Sequence, residues 1–194
     1  MPALLLLAAG ASTRMGRPKQ LLPYRGRTLL RHAAETAAAT ACAPLVLVTG
    51  ALHAELAAEV AGLPFRVVHN AEWATGMASS IRAGLAAVAE ARPAAVLIML
   101  ADQPLLTPAL LGQLLARQQA TGAPAAAAAY ADVLGVPAVF ARAVLPELLQ
   151  LQGAQGASRL LARLGTAVAR VPFPAGLLDV DTPAQYAALL QGPD

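Results

Sequence analysis

At 194 residues the chain has the length of one domain, and 57% hydrophobic against 13% charged residues is enough to build a sizeable core. Much of the apolar share is alanine, no apolar run reaches the length of a membrane-spanning helix, and the lone cysteine, Cys42, excludes an internal disulfide and fits a reducing, cytoplasmic compartment. The net charge of +3 is uneven: no acidic residue precedes Glu35, whereas six of the 14 basic residues lie between Arg14 and Arg31, an excess that suits a small polyphosphate better than nucleic acid, for which stacking aromatics are scarce.

The first apolar run, Leu4–Ala9, is stopped by Gly10 and has no basic residue before it, which predicts a buried strand and not a secretion signal. Thr28–Ala41 reads as a helix, Pro44–Gly50 as a strand, His53–Gly62 as a helix with a glycine stop, and Phe65–Asn70 as a strand. A helix over Ser79–Ala91 leads to a second strongly buried strand, Ala94–Leu100. Thr107-Pro108 opens a helix that runs to about Ala120. Strands are expected at Ala123–Tyr130, despite the alanines, and at Val136–Phe140. Helical segments Arg142–Leu151 and Ser158–Gly165 follow, then a strand over Thr166–Val171. Thr182-Pro183-Ala184-Gln185 fits a capping box for a last helix.

About seven strands alternating with helices imply a single α/β domain over 1–194. It is a three-layer α/β/α sandwich whose mainly parallel sheet is covered on both faces. Ligands of such sheets bind beyond the carboxyl ends of the strands, so the residues after each strand carry the chemistry: Gly10–Lys19, Thr49–Gly50, Asn70–Ser80, Asp102–Pro104 and Asp179–Asp181.

The first of these, G-A-S-T-R-M-G-R-P-K-Q (Gly10–Gln20), is neither a P-loop nor a dinucleotide fingerprint, because both glycine spacings are wrong. It has the same physical parts. Gly10 lets backbone amides approach an anion, Ser12 and Thr13 can open a short helix, and Arg14 and Lys19 supply charge. Lys19 is the only lysine beside 13 arginines, which singles out a compact, flexible ammonium at this position. Three of the five aspartates, Asp102, Asp179 and Asp181, stand at strand ends, where carboxylates could hold a hard divalent cation against phosphates.

The stretch L-A-A-G-x-S-x-R-M-G-x-P-K-Q-L-L resembles the signature of nucleotidyltransferases with a GT-A-like, Rossmann-like fold. Later segments resemble the molybdenum cofactor cytidylyltransferase group: Val67–Leu85, Leu100–Thr107, Gly135–Phe140, Gly153–Ala157 and Leu177–Pro183. The resemblance implies transfer of CMP from CTP to the terminal phosphate of molybdopterin, with Mg²⁺ as cofactor and release of pyrophosphate. It also implies a molybdoenzyme or its maturation chaperone as a protein partner. Nucleic acid and membrane partners are not expected.

Carried over residue by residue, the resemblance gives Arg14, Lys19 and Asp102 catalytic roles and makes Asp102, Asp181 and Asp179 metal ligands. Leu7, Ala8, Ala9, Gly10 and Ser12 would meet the nucleotide together with Arg14, Lys19, Thr49, Gly76 and Ser80. Ala9 stands where guanylyl-transferring relatives carry a second glycine, and so favours the smaller cytosine. Trp73, Met77, Ser79 and Gln103 are expected at the acceptor. The departures fall at that end: Val136 stands where many relatives have histidine between Gly135 and Pro137, Gln103 replaces a frequent methionine, and Ala184 a common acidic residue. A guanylyltransferase, a transferase for another phosphorylated small molecule, and a non-catalytic cofactor carrier are the competing readings.

Overall fold

Five consecutive apolar side chains with no polar alternation can only be satisfied inside a sheet covered on both faces. Strand β1 (Ala3–Leu7) is such a run, and every one of its residues is buried. The computed structural model describes residues 1–130 and 133–191, except for the side chains of Arg14 and Leu177. After β1 come a short hairpin, β2 (Pro23–Tyr24) and β3 (Arg27–Thr28), and helix α1 (Leu29–Ala38). Then follow β4 (Leu45–Thr49), α2 (His53–Glu59), β5 (Phe65–His69), α3 (Met77–Val88) and β6 (Ala95–Leu100). The remaining elements are α4 (Pro108–Thr121), β7 (Ala125–Tyr130), β8 (Val133–Ala141), α5 (Leu145–Leu149), α6 (Ala157–Leu164), β9 (Val168–Pro172) and α7 (Pro183–Gln191).

Seven strands form one sheet in the order β5-β4-β1-β6-β8-β7-β9. Only β8 runs against its neighbours, pairing antiparallel with both β6 and β7; the other pairs are parallel. The expected α/β architecture is thus the observed one. The phase of each strand divides its side chains between two cores. Leu4, Leu6, Leu47 and Met99 pack with Leu30 and Leu111 of α1 and α4. Leu5, Val46, Ile98 and Phe140 pack with Ile81 and Leu160 of α3 and α6 on the other face.

A third, smaller cluster positions the site. Met15, Leu22, Tyr24 and Leu29 meet Val180, Tyr186 and Leu189, so α7 closes over the segment after β1. The Tyr186 hydroxyl donates to the Pro23 carbonyl (2.6 Å), and the Arg17 guanidinium lies 5.3 Å from the Tyr186 ring centroid. Thr182 caps α7 with help from Gln185, whose amide N–H donates to the Thr182 hydroxyl (3.3 Å) and whose side-chain oxygen accepts from the Asp181 amide (3.1 Å). The β2–β3 hairpin was not expected from the sequence. It turns through Arg25 and Gly26, both at positive φ (46° and 78°), the geometry of a two-residue turn matched to strand twist. No helix among the described residues is long and apolar enough to cross a membrane.

Candidate active site

From β1 the chain winds outward through β4 and β5, then returns to place β6 on the other flank of β1. The crevice beyond the carboxyl ends of β1 and β6 is therefore the topological switch point, where an open α/β sheet binds ligands. A cavity of about 320 Å³ opens there. Its floor is the turn Leu7-Ala8-Ala9-Gly10, one wall comes from Trp73, Gly76, Met77 and Ser80, and the other from Lys19 and Asp102.

The turn after β1 is held by a side chain that sequence reasoning missed. Gln20 is 2% exposed; its amide nitrogen donates to the carbonyls of Ala8 (3.2 Å) and Gly10 (2.7 Å), and its oxygen accepts from the Ser12 hydroxyl (3.0 Å). Ser12 in turn accepts from the Lys19 amide (3.1 Å) and sits in the left-handed region at φ 56°, a conformation that costs a non-glycine residue about 1–2 kcal/mol and persists only where its surroundings fix it. A single helical turn, Thr13–Met15, follows. The side chain of Arg14, expected at the phosphates, lies outside the described residues.

At the far end of this segment Lys19 bridges two carboxylates, with Nζ 2.6 Å from Asp102 Oδ2 and 2.5 Å from Asp181 Oδ1. The long sequence separations are closed by the fold: Asp102 follows β6, and the Val180 amide donates to the Asp102 carbonyl (3.0 Å), which lays the 179–181 segment beside it. Burial alone would lower the Lys19 pKa, but Asp102 and Asp181 more than offset it, and the net direction is upward, so the group is an ammonium. Burial drives the Asp102 carboxyl upward, Lys19 pulls it back only in part, and Asp181 pushes it up again. Lys19 thus compensates Asp102 only in part. Asp102 Oδ1 is buried with no hydrogen-bond partner among the described residues. An unpartnered hard oxygen beside a second carboxylate fits a divalent cation of the Mg²⁺ or Mn²⁺ type, which takes one or two carboxylates and completes its shell with phosphates and water. Among the described residues no three His, Cys, Asp or Glu side chains converge on one point. Asp179, expected as a third ligand, is engaged by the Gln185 amide nitrogen (2.8 Å).

The opposite wall is organised by Asn70, also missed. Its amide nitrogen reaches the hydroxyls of Ser79 (2.8 Å) and Ser80 (3.1 Å), and its oxygen accepts from the Glu72 amide (3.0 Å). Gly76 has φ +117°, and a Cβ there would lie 2.3 Å from the Gly153 carbonyl oxygen, so both the dihedral and the close approach demand glycine. Trp73 can lie over the cavity because Gly50 has no side chain: a Cβ there would sit 2.6 Å from Trp73 Cγ and 2.4 Å from the Ala9 oxygen.

Of the expected residues, Ser12, Asp179 and Asp181 do not line this cavity, and three more turn their side chains away from it. Thr49 is fully buried, its hydroxyl shared between His53 Nδ1 (2.7 Å) and the Val68 carbonyl (3.2 Å). Ser79 spends its hydroxyl on the carbonyls of Glu72 (3.0 Å) and Gly76 (2.8 Å). Gln103 is buried, donating to the Val136 carbonyl (3.0 Å). Each stands at a strand end or helix start, as the sequence suggests, but its side chain points into the protein. Trp73, expected at the acceptor, shares the cavity of Ala9 and Gly10, whereas Met77 also lines a second cavity of about 300 Å³ that adjoins the first along Leu7 and Leu100. Tyr130, which the sequence did not single out, faces that second cavity.

A tightly bonded turn, a lysine and paired carboxylates at the switch point of a mostly parallel sheet place the chain among α/β proteins whose ligands bind in that crevice. The chain belongs to the family of MobA-like NTP transferase domains, whose family model matches residues 4–168. It is 47% identical over 111 residues to nicotine blue oxidoreductase of Paenarthrobacter nicotinovorans, a match spanning 57% of this chain and 53%, about half, of that protein. It is 30% identical over 194 aligned residues to purine catabolism protein PucB of Bacillus subtilis, covering 93% of this chain and 91% of PucB. It is 34% identical over 85 residues to molybdenum cofactor cytidylyltransferase of Escherichia coli, 43% of this chain and 44% of that one. Among solved structures, Rv0371c of Mycobacterium tuberculosis in complex with manganese superposes with a TM-score of 0.78 at 31% identity, covering 98% of both chains.

Proposed function

We propose that a single nucleotidyltransferase domain, residues 1–194, transfers CMP from CTP to the terminal phosphate of molybdopterin and releases pyrophosphate. The observation that carries this reading is the Lys19 ammonium held between Asp102 and Asp181 (2.6 and 2.5 Å) at the mouth of a cavity floored by Leu7–Gly10. The family and the name of the Escherichia coli relative support it.

In this reaction an oxygen of the acceptor phosphate forms a bond to the α-phosphorus of CTP. The bond from that phosphorus to the bridging oxygen breaks, and pyrophosphate leaves with the electron pair. Catalysis is then a matter of alignment and charge neutralisation. The amides of the Gly10–Met15 turn approach the triphosphate, Lys19 turns from the carboxylates to a phosphate oxygen, and Arg14 adds a second cation. Asp102 and Asp181 would hold a divalent cation, Mg²⁺ or Mn²⁺, which when bound neutralises phosphate charge. The base lies between the Ala9–Gly10 backbone and Trp73, where the Ala9 methyl favours cytosine over guanine. The protein acts in the cytoplasm and hands its product to a molybdoenzyme or that enzyme's chaperone.

The test is pyrophosphate release with purified molybdenum cofactor and Mg²⁺, comparing CTP, GTP, ATP and UTP. Release with CTP is expected. Release with GTP alone would overturn the assignment of the base. Binding of nucleotide without release would leave a carrier. A second reading, reduction of a pigment, has in its favour the 47% identity to the oxidoreductase. The turn after β1 lacks the glycine spacing of a dinucleotide site, which weighs against it. Reduction of nicotine blue with a hydride donor, and no pyrophosphate with any nucleotide, would favour it.

A further inference from the structure

The second cavity differs from the first in charge. Apart from Tyr130 and Ser158, its side chains are apolar, and no basic residue among the described ones lines it. Tyr130 is held there by two absences. A Cβ at Gly135 would lie 1.8 Å from the Tyr130 hydroxyl oxygen, and a Cβ at Gly176 would lie 2.7 Å from its Cδ1. Gly135 is not at positive φ, so glycine is needed there for space and not for a dihedral. The two glycines form a slot for the phenol at the end of the β7–β8 hairpin, where Tyr130 pairs with Val133. No described group hydrogen-bonds the Tyr130 hydroxyl. Burial first, then the charges of Asp179 and Asp102, push its pKa up, so the phenol keeps its proton and remains a donor.

We propose that the second cavity is the subsite for the body of the acceptor, that this body is uncharged and mainly apolar, and that Tyr130, seated in the Gly135–Gly176 slot, is the specificity-determining donor that orients it. The proposal rests on the group-transfer reading, because it directs the acceptor phosphate across the shared rim at Leu7 and Met77 toward Lys19. A mainly apolar pocket with one or two placed polar groups selects by shape and fixes orientation through those groups. The same lining disfavours a polyanionic acceptor, which would find no cation among its described residues. It also explains why valine is tolerated at 136: its side chain adds apolar wall to the cavity, while its carbonyl is occupied by Gln103.

The test is fluorescence titration of the free protein with 4-methylumbelliferyl phosphate, a phosphate monoester of a flat bicyclic body, beside ribose 5-phosphate, which has the phosphate without that body. The coumarin ester should bind the wild type better than ribose 5-phosphate. Tyr130→Phe, which keeps the ring in its slot, should weaken the coumarin ester by about tenfold, the loss of one hydrogen bond, and leave ribose 5-phosphate unchanged. Gly135→Ala should displace the phenol and weaken the coumarin ester at least as much, with circular dichroism confirming a folded protein. Equal binding of the two ligands, no binding of the coumarin ester, or an unchanged affinity in Tyr130→Phe would overturn the proposal. Pyrophosphate release is assayed separately. If no nucleotide supports it while the coumarin ester still depends on Tyr130, the cytidylyl transfer fails and the subsite stands.

Discussion

The two cavities that meet at Leu7, Met77 and Leu100 are built by opposite means. The first is defined by bonds: Gln20 pins two carbonyls of its floor, Asn70 ties two serines of its wall, and Lys19 joins two carboxylates across its mouth. The second is defined by room, with Gly135 and Gly176 leaving space for one phenol among apolar neighbours. The contrast separates two demands. A triphosphate is the same for every nucleotide and rewards a rigid, charged frame, whereas an acceptor varies, and a pocket defined by apolar shape can change by single substitutions.

The contrast is broken most severely at Lys19. Lys19→Ala should lower pyrophosphate release by about 10²–10³-fold, the range for losing one preorganised donor to a developing phosphate charge. It should also act without nucleotide. With the ammonium gone, the buried Asp102 carboxylate loses the partner of its Oδ2, a burden of about 3 kcal/mol when a buried pair loses one member. A divalent cation relieves it. Lys19→Met should therefore bind Mn²⁺ more tightly than the wild type in the absence of nucleotide, as read by electron paramagnetic resonance. Unchanged Mn²⁺ affinity would show that Lys19 does not compete with the metal for these carboxylates.

Gln20 tests the frame without touching its charges. Gln20→Ala leaves the Ala8 and Gly10 carbonyls and the Ser12 hydroxyl without their partner, a loss of about 2 kcal/mol. For a chain of this length that is a fall in Tm of about 4–8 °C. Because the floor then relaxes, CTP binding should weaken by about tenfold, measured calorimetrically. Coumarin ester binding in the second cavity should be unaffected. A matching loss in both would show that the cavities respond as one unit.

What was legible in the sequence follows the same division. Strands β1 and β6 announced themselves as continuous apolar runs ended by Gly10 and by Asp102. Even the alanines of β7 read correctly, because their buried position in the sheet overrides alanine's helix preference. Lys19, Asp102 and Asp181 stood out as a lone residue type or as carboxylates at strand ends, and the fold brings them together. The hairpin escaped because its turn puts Arg25, not Asn or Asp, at positive φ. Arg142–Leu151, expected to be helical, is regular only over Leu145–Leu149, after a 3₁₀ turn. Thr49 and Gln103 were placed on the right segments, but whether a side chain faces a cavity or a neighbouring carbonyl depends on partners elsewhere in the fold, Val68 and Val136 here. The same holds for Tyr130, whose position depends on Gly176.

The finest division runs between two adjacent serines. On α3, neighbouring residues are rotated by about 100° from one another, so a helix that borders a cavity can send one side chain into it and the next into the wall. Ser80 lines the first cavity, and the one bond its hydroxyl makes among the described residues is from Asn70. Ser79 reaches three groups: it accepts from Asn70 and shares its one proton between the Glu72 and Gly76 carbonyls. Ser79→Ala should therefore cost about 1 kcal/mol of stability, because the loop over Trp73 loses its tie to the helix, and should leave nucleotide affinity nearly unchanged. Ser80→Ala should do the reverse, raising the KM for CTP by about threefold with little effect on Tm. Denaturant titration and steady-state kinetics on the two variants separate the outcomes. If Ser79→Ala instead raised KM while keeping its Tm, the serine expected at the acceptor from sequence would have a functional role despite its buried, fully bonded position.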